Sequence, residues 1–424
     1  MGGVSDPASA RRPTAAPEHP DPPPGASRAL APDLARGAML LLIAVANVPW
    51  YLWGSTPADT TVHPAHDVGL DRAVSVATIV FVDGRVYPMF AFLFGYGMVQ
   101  FAQSRLARGI APRSVRRMLT RRHLAMLAFG VGHAALLWFG DILGAYGLAG
   151  LVLVLLFFRR RTGTLLVWAC LGTLALLVFT LVWVWGARAV DAADVSPAEL
   201  GSPAGSLIWA QSTAVNGGGD YLASITERLL TWLPLILFQG LLLPVVPVAI
   251  LLGWVASRHR VLEDPARHRR LLTWTAIAGI AIGWLGGAYA AAGYLGLLGW
   301  SPYTWWTVMV ISLATGLPAG VGYVAAFALL SLRVRAAGPL RPLAAVGRRS
   351  LTCYLGQSLI LAPLMCAWGV GLGGWVGSAG AAGLAVLAYL VLTVFASWLE
   401  RTGRRGPAEI VLRRHTYGRA APVT

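Results

Sequence analysis

The sequence predicts an all-α membrane protein, a polytopic bundle of about ten transmembrane helices with both termini in the cytoplasm. Three observations favour this class. Of the 424 residues, 56% are hydrophobic and 12% are charged, about half of the charged fraction that is typical of soluble domains. Apolar runs long enough to cross a bilayer recur along the chain. The basic residues, all of them arginine, lie mostly in alternate connections between these runs.

Ten apolar segments are the candidate membrane spans. They cover residues 37–53, 77–103, 119–139, 142–158, 163–186, 229–256, 272–293, 304–332, 350–370 and 376–398. The second segment is longer than a bilayer requires. Residues 70–82 are therefore predicted to form a separate half-helix that leads into it.

The distribution of arginine predicts the orientation of these spans. Thirty of the 34 arginines lie in both tails and in the connections 104–122, 159–161, 257–270 and 333–349. The alternate connections and the adjoining segment ends contain the other four, together with ten of the 18 acidic residues. By the positive-inside rule, both termini of this multi-pass membrane protein are cytoplasmic. The net charge of +16 is thus explained by orientation, and no nucleic-acid partner is expected.

The chain divides into three regions by composition. Residues 1–32 form a Pro- and Ala-rich tail of the kind that stays disordered. Residues 33–400 form the transmembrane bundle, and residues 401–424 form a basic cytoplasmic tail with a short amphipathic helix. The expected partners are the lipid bilayer and a small-molecule substrate. The three cysteines lie in apolar segments without metal-ligand spacing, so no metal site is expected.

Ionisable residues within or beside the spans are the best indicators of a functional site, because each costs about 2.5–3.5 kcal/mol in hydrocarbon unless it is paired or hydrated. His133 lies inside the third span, and Asp141 lies eight residues later at an outer turn. Asp141 fits either an N-cap of the next helix or a partner of the histidine. His133 fits either a structural hydrogen bond or a proton-handling, catalytic role.

Two further groups lie towards the outer side. "DGRVYP" places Asp83 and Arg85 at the start of the thick part of the second span, where they pair with each other or with Asp141, or orient a polar or anionic substrate. "HPAHD" in the first outer loop places His63 and His66 three residues apart. Either histidine is a candidate general base, and a third metal ligand at conventional spacing is missing.

Charged pairs also flank two spans on the cytoplasmic side. Asp33 and Arg36 begin the first span, and Arg348 and Arg349 precede the ninth. Helix capping and snorkelling arginines explain them structurally, whereas binding of donor phosphates explains them functionally.

The ninth span also carries a polar face. Tyr354 and Gln357 lie on one helical face with Ser350 and Ser358. That face is expected to point into the bundle, where it makes interhelical hydrogen bonds or contacts a substrate.

Several segments, in this order, resemble the YeiB-like membrane family, also described as domain of unknown function 418 (DUF418). They are "DLARG" (33–37) with "VAN" (45–47), "YPMFAFLFGYG" (87–97), "RRHLAMLAFGVGHAALLWFGDILGAYGLAG" (121–150), "GRRSLTCYLGQSLI" (347–360) and "RGPAEIVLRR" (405–414). The resemblance extends from about residue 30 to residue 415. It implies a bacterial inner-membrane protein that is distantly similar to membrane acyltransferases.

The resemblance also implies a chemistry. Similar acyltransferases acetylate sugars from cytoplasmic acyl-CoA, which makes acyl-CoA the candidate donor. In that branch a histidine of the first outer loop takes part in acetyl transfer, and His63 or His66 would correspond to it. This sequence departs from the family at Cys353, where asparagine is usual, so the polar face of that helix lacks one amide.

Two functions of different classes fit these features. The first is an acyltransferase with a donor at Asp33, Arg36, Arg348 and Arg349, and with His133 or a loop histidine as base. The second is a transporter of a small polar or anionic solute with its site at Asp83, Arg85, His133 and Asp141. Both hypotheses expect the scarce ionisable side chains to line one hydrated pocket near the periplasmic face.

Overall fold

Fifteen α-helices and no β-strand make up the part of the chain that the computed structural model describes, namely residues 30–193, 204–298, 304–333 and 338–417. The all-α helical bundle predicted from the sequence is thereby confirmed. The predicted N-terminal tail falls outside the described residues up to position 29. Helix α1 begins at Leu30, three residues before the expected start of the bundle.

The helices follow one another with short connections. They are α1 (Leu30–Asn47), α2 (Gly69–Phe81), α3 (Val86–Leu106), α4 (Pro112–Leu136), α5 (Ile142–Phe157), α6 (Thr162–Ala192), α7 (Ala204–Gly217), α8 (Tyr221–Leu237), α9 (Val245–Arg258), α10 (Arg269–Tyr294), α11 (Thr304–Ser331), α12 (Arg341–Arg348), α13 (Ser350–Met365), α14 (Ser378–Arg401) and α15 (Pro407–Tyr417). Helix α15 coincides with the short helix expected in the basic tail.

Each of the ten predicted spans coincides with one helix or with a broken pair of helices. By length and apolar composition, six helices of the described chain can cross a membrane, or seven if α2 and α3 count as one bent span. Helices α5, α9 and α13 are apolar but contain only 16, 14 and 16 residues. The protein is therefore a multi-pass membrane protein, and a count of ten spans stays a prediction.

Two of the crossings are broken. Helices α2 and α3 meet at residues 82–85 with a bend of 40°, which confirms that α2 is a separate helix. The predicted span 229–256 is also divided, because a π-helical turn at Phe238–Leu242 and Pro244 separate α8 from α9. Proline lacks an N–H and a π-turn shifts the hydrogen-bond register, so both interrupt a regular helix.

Contacts between helix termini define two ends of the bundle. At the basic end, Arg105 of α3 donates to the Tyr417 hydroxyl of α15, and Arg258 of α9 donates to the Arg160 carbonyl after α5. At the opposite end, the Tyr221 hydroxyl of α8 donates to the carbonyl of Leu136 in α4. Arginine-rich connections thus meet at one end, as expected of a membrane protein that follows the positive-inside rule.

Glycines allow α3 and α9 to pack backbone against backbone in the centre of the bundle. A Cβ atom on Gly95 would collide with the carbonyl of Ile250, and one on Gly253 would collide with the carbonyl of Phe92. Small residues at helix interfaces let backbones approach closely, which is a main source of helix association in membranes.

We expect Gly253→Ala to destabilise the protein by about 1–3 kcal/mol, because the added methyl group overpacks the α3–α9 contact. The measurement is the unfolding temperature of the purified protein in detergent. Gly132→Ala in α4 is the matched control, since nothing lies within 4 Å of its Cβ position and alanine favours a helix. Equal unfolding temperatures for the two variants would contradict the packing argument.

Candidate functional site

A buried histidine–aspartate pair lies where α4 ends and α5 begins. The Nδ1 atom of His133 lies 2.8 Å from Oδ1 of Asp141, and both side chains are 0% exposed. The second carboxylate oxygen of Asp141 accepts hydrogen bonds from the Gly144 N–H at 2.7 Å and from Nε1 of Trp232 at 3.4 Å. Asp141 is therefore both the N-cap of α5 and the hydrogen-bond partner of His133. The two roles that the sequence allowed as alternatives occur together.

The other ring nitrogen of His133 is buried and has no hydrogen-bond partner among the described residues. The ring of Tyr354 lies beside it, with 5.2 Å between the ring centroids. Because the Asp141 carboxylate only accepts, the neutral imidazole carries its proton on Nδ1 and keeps a lone pair on Nε2. This is the state in which a histidine acts as a base.

The glycines around this pair make room for it. A Cβ atom on Gly130 would lie 2.6 Å from Oδ2 of Asp141, and one on Gly144 would lie 2.5 Å from the ring of Trp232. Gly130 of "FGVGH" and Gly144 of "GDILG" therefore leave the space that the Asp141 carboxylate and the Trp232 ring occupy between α4, α5 and α8.

Arg228 of α8 lies at the same end of α4 and was missed by the sequence analysis as a site residue. It is 1% exposed, its Nε donates to the carbonyl of Ala135 at 3.0 Å, and its Nη2 is buried without a partner. Within the described chain no carboxylate forms an ion pair with it. A buried, unneutralised guanidinium favours an anionic partner. One feature of the sequence could have identified Arg228 as a site residue: it is one of only four arginines on the outer side, and it lies next to an apolar segment.

His63 belongs to a second network, between the first outer loop and helices α2, α10 and α14. Its Nε2 lies 2.8 Å from Oδ2 of Asp83, and its Nδ1 lies 3.1 Å from the Ser75 hydroxyl. The Ser75 hydroxyl donates to Asp67 at 2.6 Å, so His63 must donate from Nδ1. The contact with Asp83 then requires one further proton, either on the ring or shared with the carboxylate. His66 is exposed and outside this network.

The two networks are separate in the described residues, since no hydrogen bond joins the His63 network to His133 and Asp141. The carboxylate of Asp83 pairs with His63 and not with Arg85. Arg85 instead donates to the backbone carbonyls of Asp83 and, at 2.8 Å, of Gly283 in the middle of α10. It is 1% exposed and its Nε has no partner. Closeness in the sequence favoured an Asp83–Arg85 pair, whereas the observed partners of these side chains, His63 and Gly283, lie 20 and 198 residues away.

At the basic end, the residues expected to bind a donor are joined to a carboxylate that the sequence analysis missed, Glu400 of α14. Arg348 approaches both oxygens of Glu400, at 2.7 and 3.2 Å, and Nη1 of Arg349 lies 2.7 Å from Oε2. Asp33 lies 3.3 Å from Arg36 and 3.8 Å from Arg348. Arg348 and Arg349 thus already have a bridging counter-charge, which favours a structural role for them.

A second missed carboxylate, Glu409 of α15, binds the N-terminus of α13. Its Oε1 accepts from the N–H groups of Leu351 and Thr352 at 2.9 and 3.1 Å. Its Oε2 contacts the Thr352 hydroxyl, and a Cβ on Gly406 would collide with it. In "RGPAE", Gly406 leaves room for the Glu409 carboxylate, and that carboxylate stabilises the N-terminus of α13.

The polar face of α13 points into the bundle, as expected. The Tyr354 hydroxyl accepts from the Ile142 N–H at 3.2 Å, and Nε2 of Gln357 donates to the carbonyl of Leu40 at 2.7 Å. Interhelical hydrogen bonding therefore occupies both side chains. No cluster of three or more potential metal ligands occurs in the described ranges.

We expect Asp141→Ala to destabilise the protein by about 2–4 kcal/mol, because it removes an N-cap worth about 1 kcal/mol and leaves the buried Nδ1–H of His133 unpaired at a cost of about 1–3 kcal/mol. Asp220→Ala is the control, since Asp220 caps α8 only through exposed backbone N–H groups. Its cost should be about 1 kcal/mol. Denaturation in mixed micelles measures both, and equal losses would argue against the buried pair.

Comparisons with known proteins agree with the sequence resemblance. Residues 256–419 match the model of the family described as "Protein of unknown function (DUF418)". The chain is 31% identical over 353 residues to "Uncharacterized protein YxaH" of Bacillus subtilis (strain 168), and the match covers 80% of each protein. No solved structure matches the chain. The chain, a multi-pass helical membrane protein, belongs to the DUF418 family.

Proposed function

We propose that this DUF418 protein is an acyltransferase of the bacterial inner membrane that moves an acyl group from a cytoplasmic donor to a hydroxyl or amine acceptor. The observation that carries this proposal is the buried His133–Asp141 pair with an unpartnered Nε2. A histidine oriented by a carboxylate is the group most often used to remove a proton from an attacking hydroxyl.

The proposed step uses groups at the outer end of α4, so it requires the acyl group of the cytoplasmic donor to reach through the bundle to this end. Nε2 of His133 takes the proton of the acceptor, whose oxygen or nitrogen attacks the carbonyl carbon of the acyl donor. The negative charge that develops on the carbonyl oxygen is suited to the buried guanidinium of Arg228. When the bond to the leaving group breaks, the imidazolium returns its proton to that group. With a thioester such as acyl-CoA, the leaving group is a thiol.

Asp141 acts as a positioning residue in this scheme. Its carboxylate fixes the Nδ1 tautomer and stabilises the imidazolium that forms after proton transfer. Trp232 and the α5 N-terminus hold the carboxylate in turn, so Asp141 keeps a fixed position from which to orient His133.

We expect His133→Gln to lower acyl transfer by about 10²–10⁴-fold, since general-base catalysis contributes this factor. The assay supplies acyl-labelled acyl-CoA to proteoliposomes with a panel of sugar and amine acceptors. His259→Gln changes an exposed histidine beyond the end of α9 and should leave transfer unchanged. Wild-type transfer by His133→Gln, or absence of transfer to every acceptor by the unaltered protein, would refute the proposal.

A second candidate, a transporter of a small anionic solute, is favoured by a different observation. The break between α2 and α3 places the buried Arg85 beside the middle of α10, and Nε2 of His63 lies 2.8 Å from Oδ2 of the neighbouring Asp83. Discontinuous helices with buried ionisable groups are typical of transporter binding sites.

A flux experiment separates the two candidates. If the protein is a transporter, Asp83→Asn should abolish solute accumulation driven by a pH gradient in proteoliposomes, because an amide cannot replace the carboxylate as a proton acceptor beside His63. His133→Gln should leave that accumulation intact. The opposite pattern, with acyl transfer sensitive to His133 and insensitive to the pH gradient, excludes transport as the function.

A further inference from the structure

Three arginines surround two aromatic rings at the basic end of the bundle, and we call this set the arginine–aromatic cluster: Arg105, Arg122, Arg413, Phe101 and Tyr417. The ring of Phe101 lies 6.2 Å from the ring of Tyr417. The guanidinium carbons of Arg105 and Arg122 lie 4.8 and 5.9 Å from the Phe101 centroid. Those of Arg105 and Arg413 lie 5.3 and 5.1 Å from the Tyr417 centroid.

The rings hold three like charges close together. Cation–π contacts stabilise each guanidinium and restrict its rotation. Arg105 also donates to the Tyr417 hydroxyl. The cluster joins the C-terminal turn of α3, the first half of α4 and the last helix, α15. It is therefore assembled by tertiary structure and is not a run of charge in one segment.

The cluster lacks the counter-charge that Arg348 and Arg349 have. Among the described residues, no carboxylate forms an ion pair with Arg105, Arg122 or Arg413. The carboxylate of Glu409 is near enough to attract the guanidinium of Arg122 electrostatically. Both of its carboxylate oxygens, however, are bound at the start of α13.

One donor atom in the cluster is also unused. The Nε atom of Arg413 is buried and without a hydrogen-bond partner in the described structure. Burial, followed by repulsion from neighbouring arginines that include Arg405, Arg105 and Arg108, lowers the pKa of Arg413. An unpaired guanidinium donor in such a place is unfavourable unless an anion accepts from it.

We propose that the arginine–aromatic cluster binds a phosphate-bearing anion between α3, α4 and α15. A phosphate group presents several oxygens that accept from guanidinium forks, and three arginines on separate elements can surround it. At the cytoplasmic interface such an anion has two sources, the headgroup of an anionic phospholipid or a soluble phosphate compound. The proposal does not depend on acyl transfer.

The test measures binding of two probes to the full chain. Native mass spectrometry counts cardiolipin molecules retained by the purified protein, with phosphatidylcholine as the net-neutral comparison. Equilibrium dialysis measures binding of labelled coenzyme A, a soluble phosphate compound. We expect one of the two probes to bind, and Arg413→Gln and Arg122→Gln each to weaken that binding by at least about tenfold, since each removes a charge-assisted contact.

Arg414→Gln is the matched control. Arg414 is the next residue of α15, is exposed, and changes the net charge equally. Its binding should equal that of the unaltered protein. Cardiolipin retention alone assigns the site to a lipid headgroup, and coenzyme A binding alone assigns it to a soluble ligand. Binding of neither probe, or equal weakening by Arg414→Gln and Arg413→Gln, overturns the proposal.

A second pair of variants keeps the test decisive if an arginine variant fails to fold, as judged by size-exclusion elution. Tyr417→Phe preserves the ring and removes the hydroxyl that accepts from Arg105, and Arg105→Gln removes the charge that contacts both rings. Both should weaken binding of the same probe in folded protein. Unchanged binding by both variants would overturn the proposal independently of any result on acyl transfer.

Discussion

The carboxylate of Asp141 is the contact on which the candidate site depends. It has no exposed surface, yet it has a histidine, a helix N-terminus and an indole N–H as partners. A buried carboxylate is tolerated only when such partners replace water. Because its partners come from α4, α5 and α8, the same group that orients His133 also fixes how three helices meet. A structural role and a chemical role are therefore compatible in this residue.

Most of the architecture follows from features that are local in sequence. Apolar runs predict helices because backbone groups in a bilayer must bond within their own segment. The length of the second span predicted the separate helix α2, and "GDILG" indicated the N-cap at Asp141 through spacing alone. The division of α8 from α9 was less accessible, since Pro244 lies within an uninterrupted apolar run and many membrane helices contain proline.

Contacts between distant residues account for what the sequence did not reveal. Arg348 and Arg349 were considered as anion-binding residues, but Glu400, some fifty residues later, pairs with both of them. Arg228 lies at the same end of α4 as the His133–Asp141 pair only because α8 packs against that end, where the Nε of Arg228 donates to the carbonyl of Ala135. Pairing across a bundle depends on which helices become neighbours, and a single sequence contains no periodic signal for that choice.

Glu409 has a consequence for how the protein matures. The start of α13 receives its carboxylate from α15, and Glu409 follows Leu351 by 58 residues in the chain. Chains are synthesised at about 5–20 residues per second, so α13 enters the membrane seconds before its terminal N–H groups are satisfied. The N-terminus of α13 is thus completed only after α14 and α15 have been synthesised, and a nascent chain that has not yet reached α15 holds these N–H groups without their carboxylate.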